Sequence, residues 1–118
     1  MVSNNPAVRR YQDAYTIAKT ANGFGSFTKT IGLISAGIIG VIGLLMMLFT
    51  ATWAGAGAGF AIFLFMLTIG AIVGAIFYIL GILLSALGQN LMATLDTAVN
   101  GSPFMTQEQK AEVMNLTR

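Results

Sequence analysis

The chain has 118 residues, enough for one small domain, and 56% of them are hydrophobic while only 8% are charged. An ordinary soluble domain carries roughly 25% charged residues, so six basic and four acidic side chains are too few to cover a soluble surface of this size. A net charge of +2 scattered along the chain gives no footprint for nucleic acid. With no Cys and no His, disulfides are impossible and zinc or haem sites lack their usual ligands, so neither a metal nor a cofactor is expected.

Residues 1–30 are polar and carry Arg9, Arg10, Lys19 and Lys29. Asn5-Pro6 reads as a helix start, with Asn5 as N-cap and Pro6 in the first helical position. Val8, Tyr11, Tyr15 and Ala18 then recur at spacings of three and four, on one helical face, and Asn22-Gly23 is a plausible stop. This segment is either an amphipathic helix lying at the membrane surface or a helix docking on a neighbouring subunit.

Residues 31–53 read as a first transmembrane helix, anchored by Lys29 at one end and Trp53 at the other. AGAGAG, residues 54–59, is expected to form a loop of small residues. Residues 60–88 form the second span, which is longer than a bilayer needs. No Asp, Glu, Lys or Arg interrupts residues 31–88, and a bilayer is the ordinary solvent that rewards such a block. Gln89-Asn90 marks the exit, after which Leu91, Leu95 and Val99 keep helical spacing, so one helix should run from about Phe60 to about Val99.

Residues 89–118 form a cytoplasmic extension and tail. Asn100-Gly101 should end the long helix, with Gly101 in the left-handed conformation. Ser102-Pro103 turns the chain. Thr106-Gln107-Glu108-Gln109 has the capping-box pattern and predicts a short helix from about Gln107 to Leu116. The loop between the spans has no Lys or Arg while both flanks do, which places both termini in the cytoplasm. The two glycosylation patterns, at Asn100 and Asn115, then fall on the wrong side and read as chance. Ala54-Gly55-Ala56 has the shape of a signal-peptidase site, but the preceding apolar run is too long for an ordinary leader and cleavage is not expected.

No catalytic constellation is visible, and an enzyme is not expected. The acids are Asp13, Asp96, Glu108 and Glu112, none inside a span. Glu108 and Glu112 share one helical face, which reads as a solvated surface. Rotor-ring subunits of rotary ATPases and proton-coupled small multidrug transporters both need an ionisable carboxylate within a span, and none is present.

The positive signal is small residues at helical spacing: Gly32, Ala36, Gly40 and Gly43 in the first span, and Gly70, Gly74, Gly81, Ser85 and Gly88 in the second. Small residues let helix backbones approach closely in lipid, where no hydrophobic drive does so. They pack either the two spans of one chain or several chains together, and homo-oligomerisation is the preferred expectation. Tyr78 lies within the second span, where its hydroxyl wants a carbonyl or Ser85 as partner.

YILGILLSALGQ, residues 78–89, LDTAVNGSPFMTQEQKAEVM, residues 95–114, and the stretch Arg10-Tyr11-Gln12-Asp13-Ala14-Tyr15 resemble a group of uncharacterised small bacterial two-span membrane proteins. The resemblance covers nearly the whole chain. It implies a bacterial cytoplasmic (inner) membrane protein and brings no activity or site residues.

The expected architecture is therefore an all-α membrane protein: a two-helix transmembrane hairpin with an amphipathic N-terminal helix and a short C-terminal cytoplasmic helix. The expected function is a self-associating structural or accessory subunit of a membrane complex. Its partners would be membrane lipid, further copies of itself and an unidentified membrane or cytoplasmic protein, with no nucleic acid. Asp96, Asn100, Ser102, Pro103 and Phe104 are the expected partner contacts, with Phe104 either plugging a neighbouring groove or packing back on its own helix. Alternatives are a holin-like pore and a pilin-type filament subunit. Thr68, Ser85 and Tyr78 supply few hydroxyls for a conducting wall.

Overall fold

The computed structural model describes residues 6–115. They are helical nearly throughout, as α1 (Pro6–Ala54), α2 (Ala56–Gly101) and α3 (Gln107–Asn115). No strand occurs among the described residues. The expected N-cap Asn5 and the last helical residue Leu116 lie outside them.

The helix stop at Asn22-Gly23 does not occur: α1 continues through Gly23 and Gly25 to Ala54, so residues 1–30 do not end in a boundary before the first span. A glycine inside a helix costs only about 1 kcal/mol relative to alanine. Here packing outweighs that cost. A Cβ on Gly88 would lie 2.6 Å from the Asn22 amide nitrogen and 2.7 Å from the Ala18 carbonyl oxygen. The backbones of α1 and α2 thus approach closely just before Gly23.

The loop over residues 54–59 shrinks to one residue. Gly55 alone is non-helical, with φ +88°, a left-handed conformation that side chains resist and glycine adopts freely. The Gly59 amide already donates to the Gly55 carbonyl at 3.3 Å. Gly59 is buried, and a Cβ there would meet the Met47 carbonyl oxygen at 2.6 Å. The AGAGAG run thus supplies one reversal and one close helix–helix approach, and its remaining residues are helix.

Gly101 is also corrected. It is the last residue of α2, and Gly55 is the single glycine with positive φ among the described residues. The α2 end is closed by other means. The Ser102 amide donates to the Val99 carbonyl at 3.2 Å, tightening the last turn. The Lys110 ammonium donates to the Asn100 carbonyl at 2.9 Å, which suits the negative end of a helix dipole. With these two devices in place, no left-handed cap is needed. The capping box of α3 is formed reciprocally: the Gln109 amide donates to Thr106 Oγ1 at 3.3 Å, and the Thr106 amide donates to Gln109 Oε1 at 3.1 Å.

The chain groups into two compact units, Ser26–Ile82 and the residues up to Gly25 together with those from Leu83 onward. In the first, α1 packs on α2 through small residues. A Cβ on Gly32 would fall 2.7 Å from Phe77 Cβ, one on Gly43 2.8 Å from Met66 Cβ, and one on Gly74 2.9 Å from Ala36 Cβ. Large apolar side chains, Phe49 and Trp53 among them, point outward. The second unit packs both helix ends with α3 around Val8, Tyr15, Val99, Met105 and Val113.

Both long helices are long and apolar enough to cross a membrane, and only 11% of the apolar window of each is buried. A core helix of a soluble protein buries its apolar residues. These leave theirs outward.

Candidate functional site

The unit built from both helix ends and α3 carries most of the polar chemistry. On α1, Val8, Tyr11, Tyr15 and Ala18 share a face, and burying it is what holds this unit together: Val8 and Ala18 are fully buried and Tyr15 is 4% exposed. Leu95, Met92 and Val99 close on them from α2, Val113 and Met114 from α3, and Met105 from the connecting loop.

A buried tyrosine needs a partner for its hydroxyl. The Tyr15 hydroxyl donates to the Asp96 carboxylate, across 81 positions of sequence. Burial raises the pKa of this hydroxyl, and the hydrogen bond and negative charge of Asp96 raise it further, so it stays protonated well above its ordinary range. Asp96 itself is exposed. The pair therefore joins the apolar core to the solvent edge and fixes α1 against α2.

The five expected contact residues separate into different roles. Asp96 is engaged with Tyr15. Asn100 is exposed, with its carbonyl occupied by Lys110. Ser102 is mostly buried in the turn and lines the groove that Phe104 borders. Pro103 is exposed, and Phe104 is 79% exposed. The neighbouring Met105, at 7% exposed, takes the core position that Phe104 could have filled. Phe104 instead borders a groove whose other walls include Pro6, Arg10, Tyr11 and Leu95. A second cleft, lined by Gln12, Asp13, Thr16, Lys19 and Val113, mixes both charge signs. Glu108 and Glu112 are exposed on α3. No group of three or more His, Cys, Asp or Glu side chains able to hold a metal occurs among the described residues.

The expected packing residues also separate. Gly32, Ala36, Gly43, Gly70 and Gly74 lie where α1 and α2 touch within Ser26–Ile82, while Gly40 faces open space with nothing within 4 Å. Gly81 is buried. Gly88 sits against Ala18 and Asn22. Ser85 donates a long 3.5 Å bond to the Asn22 carbonyl, so its hydroxyl is directed there rather than to Tyr78.

Three features were missed in the sequence. The Tyr15–Asp96 pair joins distant positions, although each residue stands out locally. Lys110 as cap for α2 depends on the fold of the 102–106 turn. Gly59 as a contact residue was hidden by reading AGAGAG as loop. Comparison with protein families, with characterised proteins and with solved structures finds no match to this chain.

Proposed function

We propose that this chain is a two-span protein of a bacterial cytoplasmic membrane, with both termini cytoplasmic, that acts as a self-associating structural or accessory subunit of a membrane complex. The observation that carries the reading is a division of labour along the chain. Two long helices leave nearly all of their most apolar stretch outward, and the remaining residues build a separate small core with Arg9, Arg10, Asp13 and Lys19 exposed around it. Lipid is the medium that suits the first part and water the second. The absence of Lys and Arg between the helices, against their presence on the flanks, supports the orientation.

An accessory role is supported by what the polar unit contains. Several of its polar groups go into structure: Tyr15 with Asp96, Lys110 on the α2 end, Thr106 with Gln109. Pro103 and Phe104 remain as an exposed apolar tip of the kind that anchors a protein contact. A conducting role has less to support it. Thr68, one of the few hydroxyls on the apolar stretch of α2, is spent on the Leu64 carbonyl of its own helix at 2.9 Å.

The test is the native mass of the protein extracted gently from its own membrane. The reading expects an assembly larger than one chain that stays with the membrane in alkaline carbonate. A monomer removed by carbonate would overturn it.

A further inference from the structure

An asparagine followed by glycine can modify itself. The glycine amide nitrogen gives up its proton and attacks the asparagine Cγ. A C–N bond forms, the Cγ–Nδ2 bond breaks, and Nδ2 leaves as ammonia with a proton taken from water. Water then opens the cyclic imide at either carbonyl and yields aspartate or isoaspartate, with no oxidant or cofactor involved. Glycine favours the step because no side chain shields its nitrogen and its backbone turns freely. Such pairs occur twice in the chain, at Asn22-Gly23 and Asn100-Gly101.

The attack needs one movement: ψ of the asparagine must leave its helical value so that the next nitrogen swings onto Cγ. The fold treats the two pairs differently. Asn22 and Gly23 lie well inside α1. A Cβ on Gly88 would stand 2.6 Å from the Asn22 nitrogen and 2.9 Å from its Cβ, so the α2 backbone leaves little room for a rotation there. Asn100 and Gly101 are the last two residues of α2, and both are exposed. A Cβ on Gly101 would find nothing within 4 Å, so this peptide has room to turn. Helix ends also open far more readily than helix interiors.

What holds ψ of Asn100 lies outside the helix ladder. Its carbonyl is among the last four of α2, which lack helical donors, and the Lys110 ammonium supplies the bond at 2.9 Å. That oxygen and the Gly101 nitrogen belong to one peptide plane and rotate together. Swinging the nitrogen onto Cγ therefore pulls the oxygen off Lys110, and it also gives up the Ser102–Val99 bond of the turn. We propose that Asn100 is a self-modification site, converted to aspartate or isoaspartate through the Gly101 nitrogen, with the Lys110 bond as the brake on its rate. In isoaspartate the oxygen that Lys110 holds becomes part of a free carboxylate, and the backbone detours through the former side chain. The joint between α2 and the turn that carries the exposed Phe104 is then rebuilt.

The full chain in detergent is held in mildly alkaline buffer, and its peptides are resolved by mass spectrometry into asparagine, aspartate and isoaspartate forms. The same chain unfolded in guanidinium is the reference. The expected result is comparable conversion at Asn22 and Asn100 in the unfolded chain, and conversion at Asn100 with little at Asn22 in the folded chain. Lys110→Met should raise the folded-state rate at Asn100 several-fold and leave the unfolded rate unchanged. Gly101→Ala, whose methyl meets no atom within 4 Å, should slow conversion of Asn100 in both states, which direct hydrolysis of the side-chain amide would not do. Equal folded-state rates at Asn22 and Asn100 would overturn the proposal. So would an Asn100 that stays intact in the folded chain, or a Lys110→Met variant that converts no faster than the original.

Discussion

Gly32→Ala compared with Gly40→Ala isolates what the small residues do. Both are mid-helix glycines on α1, and both replacements gain about 0.5–1 kcal/mol from reduced backbone freedom. They differ in what the added methyl meets. At Gly40 there is nothing within 4 Å, so the gain stands alone. At Gly32 the methyl falls 2.7 Å from Phe77 Cβ, 3.0 Å from the Gly74 carbonyl oxygen and 3.3 Å from the Tyr78 nitrogen. Two of these are backbone atoms of α2 and cannot swing aside. The helices must separate locally by a large fraction of an ångström, and a gap of that size forfeits a quarter to a half of each dispersion contact along the seam. Overpacking of this kind costs about 1–3 kcal/mol. After subtracting the helix gain, Gly32→Ala should destabilise the helix pair by up to about 2.5 kcal/mol, while Gly40→Ala should stabilise it by up to about 1 kcal/mol. The assay is reversible unfolding in mixed micelles, read by energy transfer between labels on α1 and α2. Equal stability of the two variants would refute the reasoning.

Gly55→Ala tests the reversal. Its φ of +88° strains any side chain while the surrounding space is open, so the loss is conformational, about 1–2 kcal/mol, in the same assay. Tyr15→Phe removes the hydroxyl bonded to Asp96 and should cost about 1 kcal/mol, because Asp96 is exposed and regains water; a neutral result would mean the bond does not hold the helices. The raised Tyr15 pKa also sets a pH dependence. The folded value lies above the unfolded one, so the contribution is fully present below the ordinary tyrosine range and is lost as pH climbs through and beyond it. Alkaline unfolding of this unit should therefore flatten in Tyr15→Phe, and the 295 nm titration should lose a component above the ordinary tyrosine range. Thr106→Ala breaks the capping box and should cost about 1 kcal/mol, seen as faster hydrogen exchange confined to α3.

Much of the fold was legible because it follows from local periodicity. The two apolar stretches, the continuation of α2 past Gln89 to the end of its Leu91–Leu95–Val99 face, and the Thr106–Gln109 box all express relations between residues three or four apart. The misses are tertiary. Gly23 reads as a stop, yet α1 runs through it unbroken just beyond the close approach of Gly88 to Ala18 and Asn22. AGAGAG reads as a loop until Gly59 is found pressed against Met47. Gly101 reads as a left-handed cap until Lys110, held in place by α3, caps the helix instead. The candidate site was legible in its members more than in their roles. Asp96 and Phe104 are conspicuous in the sequence, but that one bonds to Tyr15 and the other is turned outward beside Met105 is decided by the small core that holds both Tyr15 and Met105.

The membrane placement of the two long helices is tested most directly by a cysteine scan, for which the chain is suited because it has none of its own. Single cysteines at Val41 and Leu67, both exposed on the apolar stretches, are compared with one at Asp13, exposed on the polar unit. Intact inverted vesicles, with their cytoplasmic face outward, are treated with a water-soluble maleimide. The account predicts labelling at position 13 and none at 41 or 67 until detergent is added. Equal labelling at all three positions before detergent would contradict it.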